Sequence, residues 1–115
     1  MPKHRSFRIV ATPKGSAALF AALGDETRLR LVSRLCDHGP MSIKRLTAGS
    51  DFSRQAISKH LRVMERAGLV RSSRQGRESI WQLERRRLEE AHRFLNLISK
   101  QWDSALSRLR DFVEH

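Results

Sequence analysis

The sequence predicts a mainly α-helical fold that carries one two-stranded β hairpin. Two short helices in succession, joined by a tight turn and followed by an Arg-rich hairpin, are the first observation behind this prediction. The second is a net charge of +11 that is concentrated in two stretches of the chain. The third is a C-terminal segment without Gly or Pro in which apolar residues recur in heptads.

The 115 residues suit a single domain, which we divide into three segments. We predict a flexible basic arm at 1–14, a helical domain with the hairpin at 15–84 and a dimerisation helix at 85–115. The longest apolar run, 17–23, is far shorter than a membrane span. The single cysteine, Cys36, excludes an internal disulfide and is interpreted as a small core residue. These features predict a cytoplasmic chain that does not contact membranes.

The excess positive charge lies in two segments. The arm at 1–14 holds four basic residues and no acidic ones, and the segment 42–77 holds nine basic residues against two acidic ones. Basic and acidic side chains balance in the rest of the chain. A localised basic patch is typical of a surface that binds a polyanion such as DNA. The alternative is a generic solubilising surface, which does not require the charge to be concentrated.

Apolar spacing and cap residues predict four helices before the hairpin. A short apolar helix at 17–23 is followed by a helix at 26–37, for which Asp25 is a favourable N-cap. Ser42 caps a third, short helix, and a fourth helix occupies 54–66 with apolar residues at helical spacing. The third and fourth helices and the tight turn between them form the predicted helix-turn-helix.

A hairpin and one long helix complete the chain. A strand at 69–74, a turn at Gln75-Gly76 and a return strand at 77–83 form the hairpin. From 85 to 113 apolar residues recur at steps of three and four, which is the a/d pattern of a helix that packs against a partner helix. The residues of this seam are Leu88, Ala91, Leu95, Ile98, Trp102, Ala105, Leu109 and Phe112.

A helix-turn-helix followed by a basic hairpin is a winged helix-turn-helix, whose second helix enters the DNA major groove. The polar face of the helix at 54–66 offers donors and acceptors for base edges. Arg74 and Arg77 flank the hairpin turn, where they would meet the DNA backbone or a minor groove. Base readout of double-stranded DNA is predicted for Arg54, Gln55, Ser58 and Lys59. Further DNA contacts are predicted for Ser42, Lys44, Ser53, Arg62, Arg71, Arg74 and Arg77. His60 is predicted either to contact a phosphate or to fix the helix.

Two other interpretations of these residues stay open. The helix faces and the hairpin could be ordinary solvated surfaces, although the order of elements, the caps and the charge all agree with DNA binding. The domain could also be an interaction module that binds a protein or RNA and recognises no operator. The sequence contains no Gly-rich phosphate loop, catalytic triad or metal-ligand spacing, so an enzyme is not predicted.

Three stretches of the chain resemble the ArsR/SmtB family of bacterial repressors. They are Leu23–Leu31 (LGDETRLRL), Ser53–Leu61 (SRQAISKHL) and Glu65–Val70 (ERAGLV), followed by a Gly-Arg wing turn. The resemblance covers residues 17–84. It implies a symmetric dimer, formed by the first and last helices, that represses transcription from a palindromic operator. The interface residues predicted from the resemblance and from the heptad seam are Leu19, Leu95, Ile98, Trp102 and Leu109.

The sequence departs from this family at its metal sites. Where the family's metal sensors carry a Cys-x-Cys motif, this chain has Ser42 and Lys44, so no thiolate site is predicted. The family's second site, on the last helix, is matched only in part by Glu90, His92 and Asp103. These three residues either bind a hard metal ion or form an exposed face beside the seam. We predict no metal and no cofactor, and the sequence identifies no effector.

Overall fold

Five helices and three short strands follow one another along residues 15–114, the part of the chain that the computed structural model describes. The predicted basic arm, residues 1–14, and His115 lie outside the described residues. No helix within 15–114 is both long and apolar enough to cross a membrane. The elements are α1 (Ser16–Leu23), α2 (Glu26–His38), β1 (Met41–Ser42), α3 (Ile43–Thr47), α4 (Arg54–Arg66), β2 (Val70–Gln75), β3 (Glu78–Leu83) and α5 (Arg85–Glu114).

The N-caps expected from the sequence begin three of these helices. At the start of α2, the Asp25 carboxylate accepts a hydrogen bond from the Arg28 backbone N–H at 3.0 Å. The hydroxyls of Ser42 and Ser53 each accept the N–H three residues later, at 3.2 and 3.1 Å. These bonds satisfy amide groups that have no partner within the helix. The caps thereby fix where α2, α3 and α4 begin.

The helices pack around one apolar core. The residues Ile57, Leu61 and Met64 of α4 are at most 1% exposed and lie on a single face of the helix. They pack in the same cluster as Leu31 and Leu35 of α2. Because α4 contributes only this one face, its opposite face is left in solvent. The other fully or nearly buried members of the cluster are Leu19, Met41, Leu46, Leu69, Val70, Trp81 and Ala91.

The sheet has three strands, in the order β1-β3-β2, whereas the sequence predicted only two. The predicted hairpin is formed by β2 and β3, which pair antiparallel from Val70 opposite Leu83 to Gln75 opposite Glu78. On the other edge of β3, β1 pairs antiparallel with Ile80–Trp81. A strand of two residues is too short to show an alternating pattern, so the sequence does not reveal it. This third strand attaches the start of α3 to the hairpin.

Two residues lie in environments other than those predicted. Leu19, predicted at the dimer interface, is 0% exposed and lies in the core of its own chain. It is buried there because α1 packs onto the core cluster, and the ring centroids of the neighbouring Phe20 and of Phe94 on α5 are 5.6 Å apart. Cys36, predicted in the core, is exposed. It follows the buried Leu35 by one residue, a rotation of about 100° that turns it away from the core.

Helix α5 belongs to the core only over its first turns. Ala91 is 7% exposed and Leu88 is half-buried, and both pack against the core cluster. Beyond them the helix, which has 30 residues, continues past the rest of the domain. The described part of the chain is accordingly elongated, with extents of 65 × 32 × 20 Å.

The cap at Asp25 makes the stability of the fold sensitive to acid. The hydrogen bond from the Arg28 backbone N–H holds the pKa of this carboxyl below its ordinary value. Loss of surrounding water opposes the shift, whereas the positive charges of Arg28 and His60 add to it. A carboxyl whose pKa is lowered on folding stabilises the fold above its unfolded pKa. That stabilisation is lost as the pH falls through the lowered, folded-state pKa.

We expect Asp25→Asn to lower the Tm more at about pH 5.5 than at about pH 3, because the wild type loses the contribution of the ionised carboxylate as the pH falls below its unfolded pKa. Thermal unfolding followed by circular dichroism measures both differences. The control is Asp37→Asn, which removes an exposed carboxylate at the other end of α2 and should produce no such pH-dependent difference. A Tm difference between Asp25→Asn and wild type that stays constant with pH would contradict this role of the cap.

Candidate nucleic-acid interface

The predicted base-reading residues occupy the first two turns of α4. Arg54, Gln55 and Lys59 are exposed, Ser58 is half-buried, and Arg62 follows one turn later, also exposed. Because Ile57, Leu61 and Met64 hold the other face of α4 in the core, these side chains remain on the solvent side of the helix. Guanidinium, ammonium, amide and hydroxyl groups are those that recognise base edges in a major groove. This face of α4 therefore has the chemistry of a recognition helix.

A groove lies between the first turns of α4 and the hairpin. Its walls unite residues from α3, α4 and the wing that are far apart in the sequence. The wing stands beside α3 because β1, which leads directly into α3, pairs with β3. Three of the four charged side chains that line the groove are cationic, so it favours an anionic ligand. The lining residues are Ser42, Ile43, Lys44, Arg54, Gln55, Ser58, Arg77, Glu78 and Ser79.

The hairpin ends in a basic tip. Gly76 has a φ of 63°, a left-handed conformation that allows the chain to reverse within the tight turn. Arg74 and Arg77 are exposed on either side of this turn. Both guanidinium groups lie at the end of the wing, where a DNA backbone or a minor groove would meet it.

His60 holds α4 against the beginning of α2. Its Nδ1 lies 3.3 Å from a guanidinium nitrogen of Arg28 and 3.9 Å from the carboxylate of Asp25. Its ring also meets the ring of Phe52 edge-on, with centroids 6.4 Å apart. His60 is only half-buried, but its contacts lie within the domain. Of the two roles predicted for His60, these contacts favour fixing the helix over contacting a phosphate.

Three further predicted DNA contacts are engaged within the chain. Ser42 is 6% exposed, and its hydroxyl caps α3 in the wall of the groove. Ser53 is exposed, but its hydroxyl caps α4. With the Gln82 amide turned so that its oxygen accepts, Arg71 donates two hydrogen bonds to it, at 2.9 and 2.6 Å. Arg71 also lies 3.8 Å from Glu84, at the base of the wing.

The second half of α5 exposes an apolar face. Leu95, Trp102 and Leu109 are 53%, 62% and 58% exposed, and Ile98 is half-buried. Contiguous exposed apolar surface of this kind marks an interaction site on a soluble protein. The other large apolar side chains exposed on the same helix are Leu97, Leu106, Phe112 and Val113.

The residues of the partial metal motif on α5 are not assembled as a site. The carboxylate of Glu90 forms an ion pair with Arg87 at 2.6 Å, while His92 and Asp103 are exposed. Within residues 15–114, no three His, Cys, Asp or Glu side chains cluster as metal ligands. His92 and Asp103 are thus exposed on α5, whereas Glu90 is engaged within the domain.

Arg28 and Arg34, which no sequence pattern singled out, link elements through backbone carbonyls. Arg28 donates from Nε to the carbonyl of Ala22 at 2.6 Å, which ties α2 to the end of α1. Arg34 donates to the carbonyls of Leu46 and Arg45 at 2.7 and 3.0 Å, which ties α2 to α3. Arg28 does lie in the first of the family-like stretches, but no local pattern reveals that a guanidinium will bind a distant carbonyl.

In sequence, the chain is similar to known helix-turn-helix proteins. A family model described as a helix-turn-helix domain matches residues 23–73. The uncharacterized HTH-type transcriptional regulator YuzN of Bacillus subtilis is 41% identical over 66 residues, which cover 52% of this chain and 72% of that protein. The arsenical resistance operon repressor of Escherichia coli is 37% identical over 59 residues, which cover 51% of this chain and 50% of that protein.

The similarity extends to a solved structure. An ArsR-like transcriptional regulator from Rhodococcus sp. RHA1 matches with a TM-score of 0.72 and 35% sequence identity. The match covers 85% of this chain and 92% of that chain. An alignment of this extent spans more than the helix-turn-helix alone.

Proposed function

This chain belongs to the ArsR family of winged helix-turn-helix transcription regulators, and we propose that it represses transcription as a homodimer bound to a palindromic operator. Membership of the family makes it a DNA-binding regulator. The observation that carries the proposal is the groove beside α4, where Lys44, Arg54 and Arg77 surround Gln55 and Ser58. The proposed site of action is the cytoplasm, where such operators lie.

Base readout is proposed for the first two turns of α4. A major groove about 12 Å wide admits a helix, and the residues near its N-terminus reach the base edges. Gln55 suits adenine because its amide both donates and accepts, and Arg54 and Lys59 suit the two acceptors of guanine. Ser58, which is half-buried in the lining of the groove, has a hydroxyl that suits either base. All four residues lie on the face of α4 that the core leaves exposed.

Phosphate contacts are proposed for the cations around this face. Lys44 lies on α3, Arg62 on the third turn of α4, and Arg74 and Arg77 at the wing tip, and all four are exposed. Cations on three different elements can contact phosphates on both sides of a DNA major groove. Such contacts set the position of the protein and supply affinity, but they do not distinguish sequences.

Homodimer formation is supported by the apolar face of α5. Burial of apolar surface stabilises by about 25 cal/mol per Å², so side chains as large and exposed as Leu95, Trp102 and Leu109 favour association. The heptad spacing favours a second copy of the same helix as the partner, because a and d residues of two helices interlock. Leu19 is buried within its own chain, and α1 instead exposes the small side chains Ala17 and Ala18 to a partner.

Repression follows from the geometry of such a dimer. Two symmetry-related α4 helices match the two half-sites of a palindrome about one helical turn apart. A protein bound there excludes the transcription machinery wherever the operator overlaps a promoter. The similarity to a protein named as an operon repressor supports repression rather than activation.

Substitutions separate base readout from phosphate binding. If Gln55 pairs with a base, Gln55→Ala should weaken binding to the preferred duplex by about 1–3 kcal/mol and hardly affect a scrambled duplex. Arg74→Ala should weaken binding to both duplexes alike and flatten the salt slope by about one unit per lost phosphate contact per subunit. Fluorescence anisotropy over a salt series measures both effects, with a preferred duplex that the wild type has selected from a randomised pool.

Two comparisons control this experiment. Arg110→Ala removes one exposed arginine near the end of α5, away from the groove, and should leave both affinities close to wild type. Wild-type affinity should fall about 10³–10⁵-fold between about 50 and 200 mM salt if about 6–10 phosphates are neutralised. An unchanged preference after Gln55→Ala and after the other substitutions in the first two turns of α4 would favour a protein- or RNA-binding module instead.

A single charge on α5 tests the homodimer. Leu109→Asp places a carboxylate on the exposed apolar face and should shift the dimer to monomer, because an unpaired charge cannot be buried cheaply. Ser107→Asp adds the same charge about 200° around the helix and should leave the dimer intact. Sedimentation equilibrium at several concentrations distinguishes the two. A monomeric wild type, or a Leu109→Asp chain that dimerises as tightly as the wild type, would contradict the proposed interface.

A further inference from the structure

One half-buried arginine joins the recognition helix to the proposed dimerisation helix. Arg87, on the first turn of α5, has a side chain that is only 18% exposed. We infer that Arg87 is a positioning residue: it fixes the angle between α4 and α5, and thereby the operator half-site spacing that the dimer accepts. This inference rests on the proposed function, since it concerns how a dimer of this chain presents two α4 helices.

The guanidinium of Arg87 bonds to three separate elements. Its Nε and Nη2 donate to the carbonyl of Ala67, the residue that ends α4, at 3.2 and 3.1 Å. Its Nη2 also donates to the carbonyl of Gly15 at 2.9 Å, at the start of α1. Its Nη1 pairs with Glu90, one turn further along α5, at 2.6 Å. The three elements are thus tied together by a single side chain.

The backbone leaves room for this guanidinium. A Cβ atom at Gly68 would lie 3.2 Å from Nε of Arg87, and a Cβ atom at Gly15 would lie 3.3 Å from its Nη2. Both distances are tighter than ordinary van der Waals contact, so a side chain at either position would press on the guanidinium. Both glycines also have positive φ, of 76° and 85°, which L side chains rarely adopt. A side chain at Gly15 or at Gly68 would therefore crowd Arg87.

The chemistry of arginine suits a permanent link. The guanidinium of Arg87 is a cation that carries five N–H donors and no acceptor. It lies at the C-terminal end of α4, where the carbonyl groups carry partial negative charge. Its planar fork can bind several acceptors at fixed angles, which the single ammonium of a lysine cannot do.

Holding the C-terminal end of α4 in place also sets the position of its N-terminal end, where the proposed base contacts lie. Gln55 is 12 residues from Ala67, or about 18 Å along the helix at 1.5 Å per residue. A tilt of about 10° about the anchored end would move Gln55 by about 3 Å, which is comparable to the length of a hydrogen bond. In a dimer held together through α5, the same tilt would move the two α4 helices in opposite directions. The dimer would then bind operators of more than one half-site spacing.

The test compares the wild type with three variants. Arg87→Gln removes the fork and its charge, Arg87→Lys keeps the charge but not the fork, and Arg86→Gln removes an exposed charge from the neighbouring position. The probes are the duplex that the wild type selects from a randomised pool and the same duplex with two base pairs inserted at its centre. The insertion rotates the half-sites by about 70° relative to each other. Anisotropy gives the affinity ratio of the two duplexes, and thermal unfolding confirms that each variant is folded.

We expect Arg87→Gln to reduce the preference for the original spacing by about tenfold, and Arg87→Lys to reduce it less. Arg86→Gln should leave the ratio of the two affinities unchanged, because an exposed charge adds only to the general attraction between protein and DNA, which does not depend on spacing. A folded Arg87→Gln chain with the wild-type ratio would overturn the inference. If Arg87→Gln does not fold, an unchanged ratio in Arg87→Lys would overturn it instead.

Failure of the proposed function gives a different result. A wild type that selects no duplex from the pool would refute operator binding, and this inference with it. A wild type that selects a palindromic duplex, together with an Arg87 variant that keeps the spacing preference, would refute the role of Arg87 alone.

Discussion

Burial of one face of α4 is the constraint on which the rest of the molecule depends. Ile57, Leu61 and Met64 enter the core, and the helix can then present only its polar face to solvent. Helices α1, α2 and α3 and strand β2 all pack around this helix. The fold can therefore be understood as a support that holds α4 at the surface in one orientation. The proposed function needs that orientation, because base readout requires side chains at hydrogen-bond distance from base edges.

Arginine has two distinct uses in this chain. Arg28, Arg34 and Arg87 bind backbone carbonyls between elements, and they define how the helices are placed relative to one another. Arg54 and Arg77 instead line the groove and remain available to a ligand. Net charge alone does not separate the two uses. A guanidinium that already bonds to carbonyls stabilises the domain, whereas an exposed one adds to the field that attracts DNA.

Local signals in the sequence predicted most of the helical architecture. Helix caps such as Asp25 and Ser53, and apolar stripes such as Ile57 and Leu61, depend only on residues close by in the chain. A single sequence therefore reveals them. The exposed face of α4 follows from the same stripe. Features that depend on tertiary packing were not predictable in this way. Strand β1 exists only through its pairing with β3, and Leu19 is buried because α1 packs onto the core cluster.

Chemical protection of DNA tests the central claim, that α4 reads a major groove as one of a symmetric pair, without altering the protein. Dimethyl sulphate methylates guanine N7, which faces the major groove. On the duplex that the wild type selects, bound protein should protect guanine N7 in two clusters about 10–10.5 base pairs apart. Uniform protection, a single cluster, or no protection of guanine N7 by a saturating amount of protein would contradict the account.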